Sequence, residues 1–411
     1  NKIQEGISGA GGLTKTGTGT WTLSGANTYT GTTTVSGGTL LYGASDVLAG
    51  GIVNVDGGTL DLGANKTDTV GTVTLSNSGT ITGTSALGST GTFEMQSGTV
   101  SAILAGSSAL NKTTSGTVTL SGSTDNTYTG TTTVYDGTLT LAKDAGIDAV
   151  AGVLTIGDGT GATSSAIVQL TNANQIADAS AVTIDSDGQF NLNGKNETIG
   201  SLASSSSTAN VVLGAGTLTT GGANTSTSFA GTISGSGGFI KTGTGNQTLS
   251  GTSANTYTGA TVVYDGTLTL AKDAGINAVA GALTIGDGSG ATSSAKVQLT
   301  NANQIADTSV VTLDSDGQFN LNGQNETIGS LNSASSTANI VLGGGTLTTG
   351  ELDTANTTYA GTISGGGGFI KTGTGNLTLS GASGAGHLGV TTVSEGTLTI
   401  ANSTALGNTL A

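Results

Sequence analysis

Residues 127–166 read TYTGTTTVYDGTLTLAKDAGIDAVAGVLTIGDGTGATSSA, and residues 256–295 read TYTGATVVYDGTLTLAKDAGINAVAGALTIGDGSGATSSA. Within both stretches leucine alternates with threonine, as in the GTLTL of residues 137–141. Such alternation is typical of a β-strand with one buried face, and threonine favours strands while glycine supplies turns. The near-identity of the two stretches therefore predicts tandem units built from short strands, and the fold class is all-β.

The composition excludes several classes of protein. The chain has 411 residues with 73 glycines, no proline and no cysteine, and all ten basic residues are lysines in a chain of net charge -15. A chain without a basic stripe does not neutralise phosphates, so we expect no nucleic-acid partner. One histidine and no cysteine leave too few ligands for a zinc, iron–sulfur or haem site. No apolar run reaches the ~18 residues that read as a membrane span.

A shorter cassette recurs four times and sets the predicted organisation. It reads Lys-Thr-x-x-Gly-x-x-Thr-Leu-Ser-Gly, followed by Thr-Tyr-Thr-Gly and a Gly-Thr-Leu strand. The copies begin at Lys15, Lys112, Lys241 and Lys371. We predict one continuous solenoid over 1–411, with diverged repeats in 1–125, long tandem units in 126–254 and 255–383, and the start of a truncated unit in 384–411.

Even spacing of strand ends favours a solenoid over a sandwich or a closed barrel. Strand ends recur every 14 or 15 residues at Leu141, Ile156, Leu170 and Ile184. A solenoid accepts an open-ended series of near-identical units, which barrels and sandwiches do not. Proline would remove a hydrogen-bond donor from each ladder that it entered, so its absence agrees with stacked coils. The predicted architecture is a parallel β-helix.

The cassette resembles a known repeat. Residues 11–19 (GGLTKTGTG), 23–31 (LSGANTYTG) and 34–40 (TVSGGTL) are similar to the autotransporter-associated β-strand repeat found in passenger domains of type V secreted proteins of Gram-negative bacteria. The fourth copy departs from it, because residues 383–388 (SGAGHL) replace the Asn-Thr-Tyr element. The resemblance implies a right-handed parallel β-helix that is exposed on the cell surface or released, and that serves adhesion more often than catalysis. Since the chain begins and ends inside cassettes, we expect a part of a longer array or a processed subunit, associated with the outer membrane before any processing.

Two kinds of side chain in the cassette are candidates for interaction. Tyr29, Tyr128 and Tyr257 occupy one cassette position and are candidates for an outward aromatic row that contacts carbohydrate or a partner chain; the alternative is core or corner packing. His387 stands at that position in the fourth copy, where we interpret it as a surface substitution rather than a catalytic base. The recurring lysines are interpreted as exposed groups that discourage lateral strand pairing.

Acidic residues recur in both long units. The candidate calcium ligands are Asp185, Asp187, Asp314 and Asp316, together with residues 157–159 (GDG). The alternative is a turn in which the aspartate accepts bonds from its own backbone while Gly188 or Gly317 is left-handed. Glu197 and Glu326 recur as well. An active site is normally single, so duplication argues for structural use, and we predict no catalytic residue and no cofactor other than this candidate calcium.

The predicted function is an extracellular, secreted or surface-anchored protein, a rigid rod for adhesion, autoaggregation or biofilm. The expected partners are identical chains, cell-surface glycans, or host and matrix proteins. Because the chain is acidic, with an isoelectric point near 4.1, self-association should strengthen with salt, divalent cations or falling pH. The alternative is a filament subunit assembled by end-to-end β-stacking; a polysaccharide-acting enzyme is the least favoured hypothesis.

Overall fold

The computed structural model describes residues 2–3, 6–352, 356–384 and 386–407. All regular secondary structure in these residues is β-strand. They divide into two compact units: residues up to Ile199 together with Thr208–Asn210, and Gly200–Ser207 together with residues from Val211 onward. This division falls inside the first predicted tandem unit, 126–254. The boundary between the two compact units therefore differs from the boundary between the sequence repeats.

The first unit contains short strands connected by turns. They are β1 (Lys2–Ile3), β2 (Leu13–Lys15), β3 (Thr20–Leu23), β4 (Thr33–Val35), β5 (Thr39–Tyr42), β6 (Val53–Asp56), β7 (Thr59–Asp61), β8 (Thr67–Val70), β9 (Val73–Ser76), β10 (Gly79–Thr82), β11 (Ala86–Ser89), β12 (Phe93–Met95), β13 (Gly98–Val100), β14 (Ile103–Gly106), β15 (Leu110–Lys112), β16 (Thr117–Gly122), β17 (Thr127–Tyr128), β18 (Thr132–Val134), β19 (Gly137–Lys143), β20 (Leu154–Ile156), β21 (Ala166–Leu170), β22 (Ala181–Ile184), β23 (Gly188–Asn191) and β24 (Glu197–Ile199).

The second unit is built in the same way. Its strands are β25 (Ser201–Ala203), β26 (Asn210–Val212, whose first residue groups with the first unit), β27 (Leu218–Thr220), β28 (Thr227–Phe229), β29 (Thr232–Ser234), β30 (Phe239–Lys241), β31 (Asn246–Gly251), β32 (Thr261–Val263), β33 (Gly266–Lys272), β34 (Leu283–Ile285), β35 (Ala295–Leu299), β36 (Val310–Leu313), β37 (Gly317–Asn320), β38 (Glu326–Ile328), β39 (Ser330–Asn332), β40 (Asn339–Val341), β41 (Leu347–Thr349), β42 (Thr357–Tyr359), β43 (Thr362–Ser364), β44 (Phe369–Lys371), β45 (Asn376–Leu379), β46 (Thr391–Val393) and β47 (Thr397–Ile400).

The strands of each unit stack as parallel sheets of a β-solenoid, which confirms the predicted fold class. In the first unit the first sheet has the order β1-β3-β5-β7-β10-β13-β16-β19-β21-β23, the second has β2-β4-β6-β9-β12-β15-β18-β20-β22, and the third has β8-β11-β14-β17. In the second unit the orders are β27-β30-β32-β34-β36-β39, β28-β31-β33-β35-β37-β40-β43, β38-β41-β44-β46 and β42-β45-β47. Each strand therefore pairs with the strand one coil further along the chain, not with its neighbour in sequence.

The core is made by the inward side chains of this alternation. In β19 alternate residues are buried, and Leu139 and Leu141 are fully inaccessible to solvent. Leu141 pairs with Leu120 of the preceding coil and with Leu170 of the next, so leucines stack in a continuous column. Each fully buried leucine stabilises the fold by ~1.5–3 kcal/mol relative to an exposed one, and the narrow core is built from such columns.

The same pairing explains the spacing of 14 or 15 residues seen in the sequence. Leu141 pairs with Leu170 in the first sheet, whereas Ile156 pairs with Ile184 in the second. The spacing is therefore about half a coil. Other coils are shorter, as between Thr20 and Thr39. The longer coil accommodates the loop 157–165 without disturbing the strand pairing on either side.

A recurring asparagine fastens one corner to the coils on both sides. Asn126 Oδ1 accepts a hydrogen bond of 3.0 Å from the Leu104 amide, and its Nδ2 donates one of 2.9 Å to the Ala149 carbonyl. Asn255 makes the corresponding bonds with the Ile233 amide and the Ala278 carbonyl. Because these backbone groups are buried, the asparagine supplies partners that the strand ladder does not provide there. The Asn of the Asn-Thr-Tyr element is therefore a structural residue.

One glycine of the cassette shows why the strand entrance requires that residue. Gly137, the first residue of β19, has a φ of +73°, which residues with a side chain rarely adopt. A Cβ there would also lie against the Thr114 carbonyl oxygen of the preceding coil. Both constraints explain why the cassette strand begins with glycine.

Candidate functional site

The outward face of the first sheet carries a column of seven threonines. Paired residues run through consecutive coils without interruption. This threonine column consists of Thr20, Thr39, Thr59, Thr80, Thr99, Thr119 and Thr140. Thr20 is exposed and the others are half-buried. The column continues into Gln169 and Asn191, so it offers hydroxyl, methyl and amide groups without a charge.

The second sheet carries a more varied column, which we call the mixed column. It consists of Thr14, Thr34, Asn54, Thr74, Glu94, Asn111, Thr133, Thr155 and Thr183, which pair in register from coil to coil. Part of it forms the floor of a surface groove of about 390 Å³. The groove is lined by Thr34, Asn54, Asp56, Thr74, Ser76 and Gln96.

The hydrogen bonds of the groove leave most of its side chains without a partner in the described chain. Asp56 Oδ1 accepts a hydrogen bond of 2.8 Å from the Ser76 hydroxyl and another from Asn77. Among the described residues, no hydrogen bond engages the side chains of Thr34, Asn54, Thr74 or Gln96. Their donors and acceptors therefore face solvent and are available to a ligand.

Two tyrosines that the sequence analysis did not single out are exposed. Tyr135 and Tyr264 are 38% and 39% accessible. Each directly follows an inward valine, Val134 or Val263, at the end of a cassette strand. The alternation in residues 132–135 (TTVY) and 261–264 (TVVY) contained this signal, because the residue after an inward valine points outward.

The three tyrosines predicted as candidates for interaction are instead buried. Tyr29, Tyr128 and Tyr257 are at most 2% accessible. The Tyr128 hydroxyl shares a hydrogen bond of 2.6 Å with the Thr132 hydroxyl. Burial raises the pKa of Tyr257 to about 12, although its hydrogen bond to Thr261 opposes the shift. An outward aromatic row at these positions is therefore wrong, and the alternative of core packing is what the structure shows.

His387 is also buried, at 3% accessibility. It pairs with Gly365 just as Tyr128 pairs with Gly106, so it does occupy the tyrosine position of the cassette. Its Nε2 has no hydrogen-bond partner among the described residues. The interpretation as a surface substitution is wrong, since the ring replaces a tyrosine inside the coil.

The aspartates of the Asp-Ser-Asp-Gly element fasten one coil to the previous one. Asp187 is buried, and its Oδ1 accepts hydrogen bonds of 3.1 and 2.8 Å from the amides of Asp158 and Gly159. Burial, and then the neighbouring Asp187 and Asp158, raise the pKa of Asp185. The same contacts recur in the second unit, where Asp316 accepts from the amides of Asp287 and Gly288, and burial with Asp316 raises the pKa of Asp314.

The predicted turn is present, since the Gly188 amide donates to the Asp185 carbonyl at 3.0 Å, but its predicted details are wrong. The aspartate bonds the backbone of the preceding coil, not its own, and Gly188 and Gly317 are absent from the left-handed glycines of the described chain. Instead, a Cβ at Gly188 would lie against the Ile156 carbonyl oxygen. Among the described residues no group of three or more His, Cys, Asp or Glu side chains is arranged to hold a metal ion. Calcium at these aspartates remains a prediction.

Glu197 and Glu326 are buried carboxyl groups at another corner. Glu197 accepts hydrogen bonds of 2.8 and 3.3 Å from the consecutive amides of Gln175 and Ile176. Burial raises the pKa of Glu197 to about 8, against the lowering effect of these amides. Burial raises the pKa of Glu326, which makes the same two contacts with Gln304 and Ile305, to about 8 as well. Each carboxyl therefore caps backbone amides, and no nucleophile accompanies it in these contacts.

The recurring lysines are internal, which overturns the prediction that they are exposed. Six lysines, which we call the lysine clamps, are at most 1% accessible: Lys15, Lys112, Lys143, Lys241, Lys272 and Lys371. Lys241 Nζ donates to the carbonyls of Thr242, Gly243 and Asp265 at 2.6, 2.7 and 3.2 Å. Burial lowers the pKa of Lys112, Lys143, Lys241 and Lys272 to about 8. Strand alternation could have predicted that these lysines point inward, because each lysine clamp lies two residues after an inward side chain.

No helix among the described residues has the length and apolar character needed to cross a membrane.

The stacked parallel coils and the fourfold cassette define the class as a β-solenoid built from tandem repeats. A family model described as the passenger-associated-transport-repeat matches residues 13–41, 110–141, 239–270 and 369–400. The chain is 30% identical over 415 residues to the adhesin BmaC autotransporter of Brucella suis biovar 1 (strain 1330), a match that covers 95% of this chain and 10% of that protein. No solved structure matches the chain significantly.

These four segments of the chain are autotransporter passenger repeats. Each of the four matched segments contains a lysine clamp and the cassette strand that follows it. Similarity to autotransporter passenger repeats implies a secreted or cell-surface location. The chain spans about a tenth of the length of the relative that it matches.

Proposed function

We propose that this chain is the exposed adhesive part of a surface protein, and that it joins cells by binding identical chains through the threonine column. The similarity to an autotransporter adhesin supports an adhesive role. The observation that carries the proposal is the uninterrupted column of seven uncharged, accessible threonines.

Charge favours this face for contact between identical chains. The chain carries a net charge of -15, so two copies repel each other, and a neutral contact face adds no further like charges at the interface itself. The threonine column has no charge, and its hydroxyl groups can exchange water for a neighbouring copy at little cost in desolvation. Autoaggregation and biofilm formation would follow from many such weak contacts between cells, strengthened by multivalency.

The test is cell aggregation by a non-aggregating bacterial strain that displays the chain. The variant Thr80→Asp with Thr119→Asp places two charges on the threonine column, two coils apart. The control, Thr133→Asp with Thr183→Asp, places the same charges at the same separation on the mixed column. Antibody labelling measures the amount of each variant at the cell surface.

The proposal predicts that cells with the first variant settle slowly while control cells aggregate like the parent. It also predicts that aggregation of the parent strengthens with added salt, because screening reduces repulsion between acidic chains. Unchanged aggregation by the first variant at equal surface levels would contradict a role of the threonine column. Weaker aggregation in salt would contradict the electrostatic reasoning.

A further inference from the structure

We propose that the groove on the second sheet binds a neutral, linear polysaccharide that lies along the stacking direction of the coils. The inference goes beyond self-association and assumes only the exposure on which the proposed function also rests. It names a second contact for the chain, separate from the threonine column.

The first argument is the unused hydrogen-bonding capacity of the groove. Its floor presents a hydroxyl, an amide and a hydroxyl on three consecutive coils, at Thr34, Asn54 and Thr74. Its far end adds the amide of Gln96. A side-chain amide has two hydrogen-bond donors and an acceptor, and a hydroxyl group is both a donor and an acceptor. Such groups can bind the neighbouring hydroxyl groups of a sugar ring. These groups have no protein partner among the described residues, so a ligand need not displace an internal bond.

The second argument is the repeat of the groove. Equivalent side chains recur once per coil, at a spacing of ~4.8 Å. An extended chain of β-1,4-linked pyranoses advances by roughly one strand spacing per ring. Neighbouring rings of such a polymer face opposite ways, so every second ring meets every second coil in the same way, as at Thr34 and Thr74, and affinity accumulates with length.

Charge decides which polysaccharide fits. Asp56 lines the groove, and its Oδ2 is free of hydrogen bonds from the described residues. Glu94 stands next to Thr74 in the mixed column, where the Asn111 amide donates to it at 2.8 Å. The nine residues of the mixed column include no lysine. A polymer of uronic acids would bring like charges together, so the groove selects a neutral polymer.

An exposed aromatic ring extends the same surface. Tyr135 follows Val134 as Gln96 follows Met95, and Val134 and Met95 both pair with Lys112. Tyr135 therefore stands two coils beyond Gln96 on the same side of the mixed column. Its ring supplies an apolar platform for a sugar face, with a polar hydroxyl at the edge. Only an oligosaccharide longer than the groove reaches it.

The experiment is isothermal titration calorimetry of the purified chain with cellohexaose and with chitohexaose, and with hexameric oligogalacturonate as the anionic comparison. We expect saturable binding of a neutral hexamer and weaker binding of the oligogalacturonate. Asn54→Ala and Gln96→Ala should each weaken binding by about tenfold, the effect of losing one or two hydrogen bonds. Thr155→Ala, in the same column but outside the groove, is the matched control and should bind like the parent.

A second readout uses length. Tyr135→Ala should weaken binding of the hexamer but leave binding of the trisaccharide cellotriose unchanged. Circular dichroism confirms that each variant is folded, which we expect because the substituted side chains make no internal bonds. The proposal is overturned if neither neutral hexamer binds, if oligogalacturonate binds as well as they do, or if Asn54→Ala and Gln96→Ala keep full affinity. Since the titration does not involve cell aggregation, its failure leaves the threonine column to be judged by the settling assay alone.

Discussion

The asparagine at the coil corner gives the sharpest prediction for stability. Asn126→Ala removes a hydrogen bond of 3.0 Å from the Leu104 amide and one of 2.9 Å to the Ala149 carbonyl. Both Leu104 and Ala149 are fully buried, so each backbone group loses its partner without gaining water. Leaving one such group unsatisfied costs ~1–3 kcal/mol. We therefore expect a local destabilisation of about 4 kcal/mol.

The assay is amide hydrogen exchange resolved to single residues. A loss of about 4 kcal/mol should speed exchange of the Leu104 amide by about a thousandfold, since each ~1.4 kcal/mol is a factor of ten. The control is Asn111→Ala, which removes a half-buried bond of 2.8 Å to Glu94 on the outward face and should cost no more than ~1 kcal/mol. If Leu104 keeps its protection in Asn126→Ala, or if both variants behave alike, the corner bonds do not hold the coils as described.

Three further predictions concern the buried groups. Glu197 and Glu326 have pKa values near 8, above the ordinary 4.5, so their contribution to stability is full below pH ~4.5 and is lost as the pH rises to ~8. The four lysine clamps with a pKa lowered from 10.5 to about 8 add stability as the pH rises from ~8 to ~10.5. The urea midpoint of unfolding should therefore be lowest near pH 8. In the double variant Glu197→Gln with Glu326→Gln, the decrease of the midpoint between pH ~4.5 and ~8 should be smaller. A midpoint of the parent that rises from pH 5 to 8 would contradict this. Lys241→Met leaves three backbone carbonyls without a donor and should cost about 3 kcal/mol, so an unchanged or higher urea midpoint would contradict the clamp. Tyr128→Ala should cost ~3–5 kcal/mol and Tyr135→Ala less than ~0.5 kcal/mol, and equal losses in thermal unfolding would contradict their assignment to core and surface.

The fold was predictable because its rules are local and repeat. Alternation in the GTLTL strand of residues 137–141 identified the buried leucines, and the recurrence of that strand identified an open series of coils. The coil length was not predictable in the same way. Leu141 and Ile156 belong to different sheets, so their spacing measures half a coil, and only the pairing of Leu141 with Leu170 reveals a whole one.

The positions of polar and aromatic side chains were harder to predict, because several of them are buried or exposed contrary to their chemical character. A lysine suggests the surface, yet Lys15 follows the inward Leu13 by two positions and is buried. Its charge is tolerated because Nζ donates to the carbonyls of Thr16, Gly17 and Gly37 at 2.7, 2.9 and 2.8 Å. The bond to Gly37 joins residues from different coils, and the sequence alone does not specify it.

The candidate surfaces could not be predicted from the sequence either, because they depend on which residues of different coils lie side by side. The tyrosine of Thr-Tyr-Thr-Gly recurs conspicuously but packs inside, whereas Tyr135 is less conspicuous and faces outward. The groove brings together Thr34, Asn54 and Thr74, which lie about 20 residues apart and share no motif. Their proximity follows from the register of the coils.

The register of the stacked coils underlies both proposed surfaces and can be measured directly along the threonine column. The chain has no cysteine, so pairs of engineered cysteines can carry spin labels for pulsed electron paramagnetic resonance. Thr59→Cys with Thr140→Cys spans four coil steps, or ~19 Å, and Thr20→Cys with Thr140→Cys spans six, or ~29 Å. The spin label adds a similar length to both measured distances, so the difference between them should be ~10 Å. Equal distances, or a shorter distance for the second pair, would contradict the stacked coils.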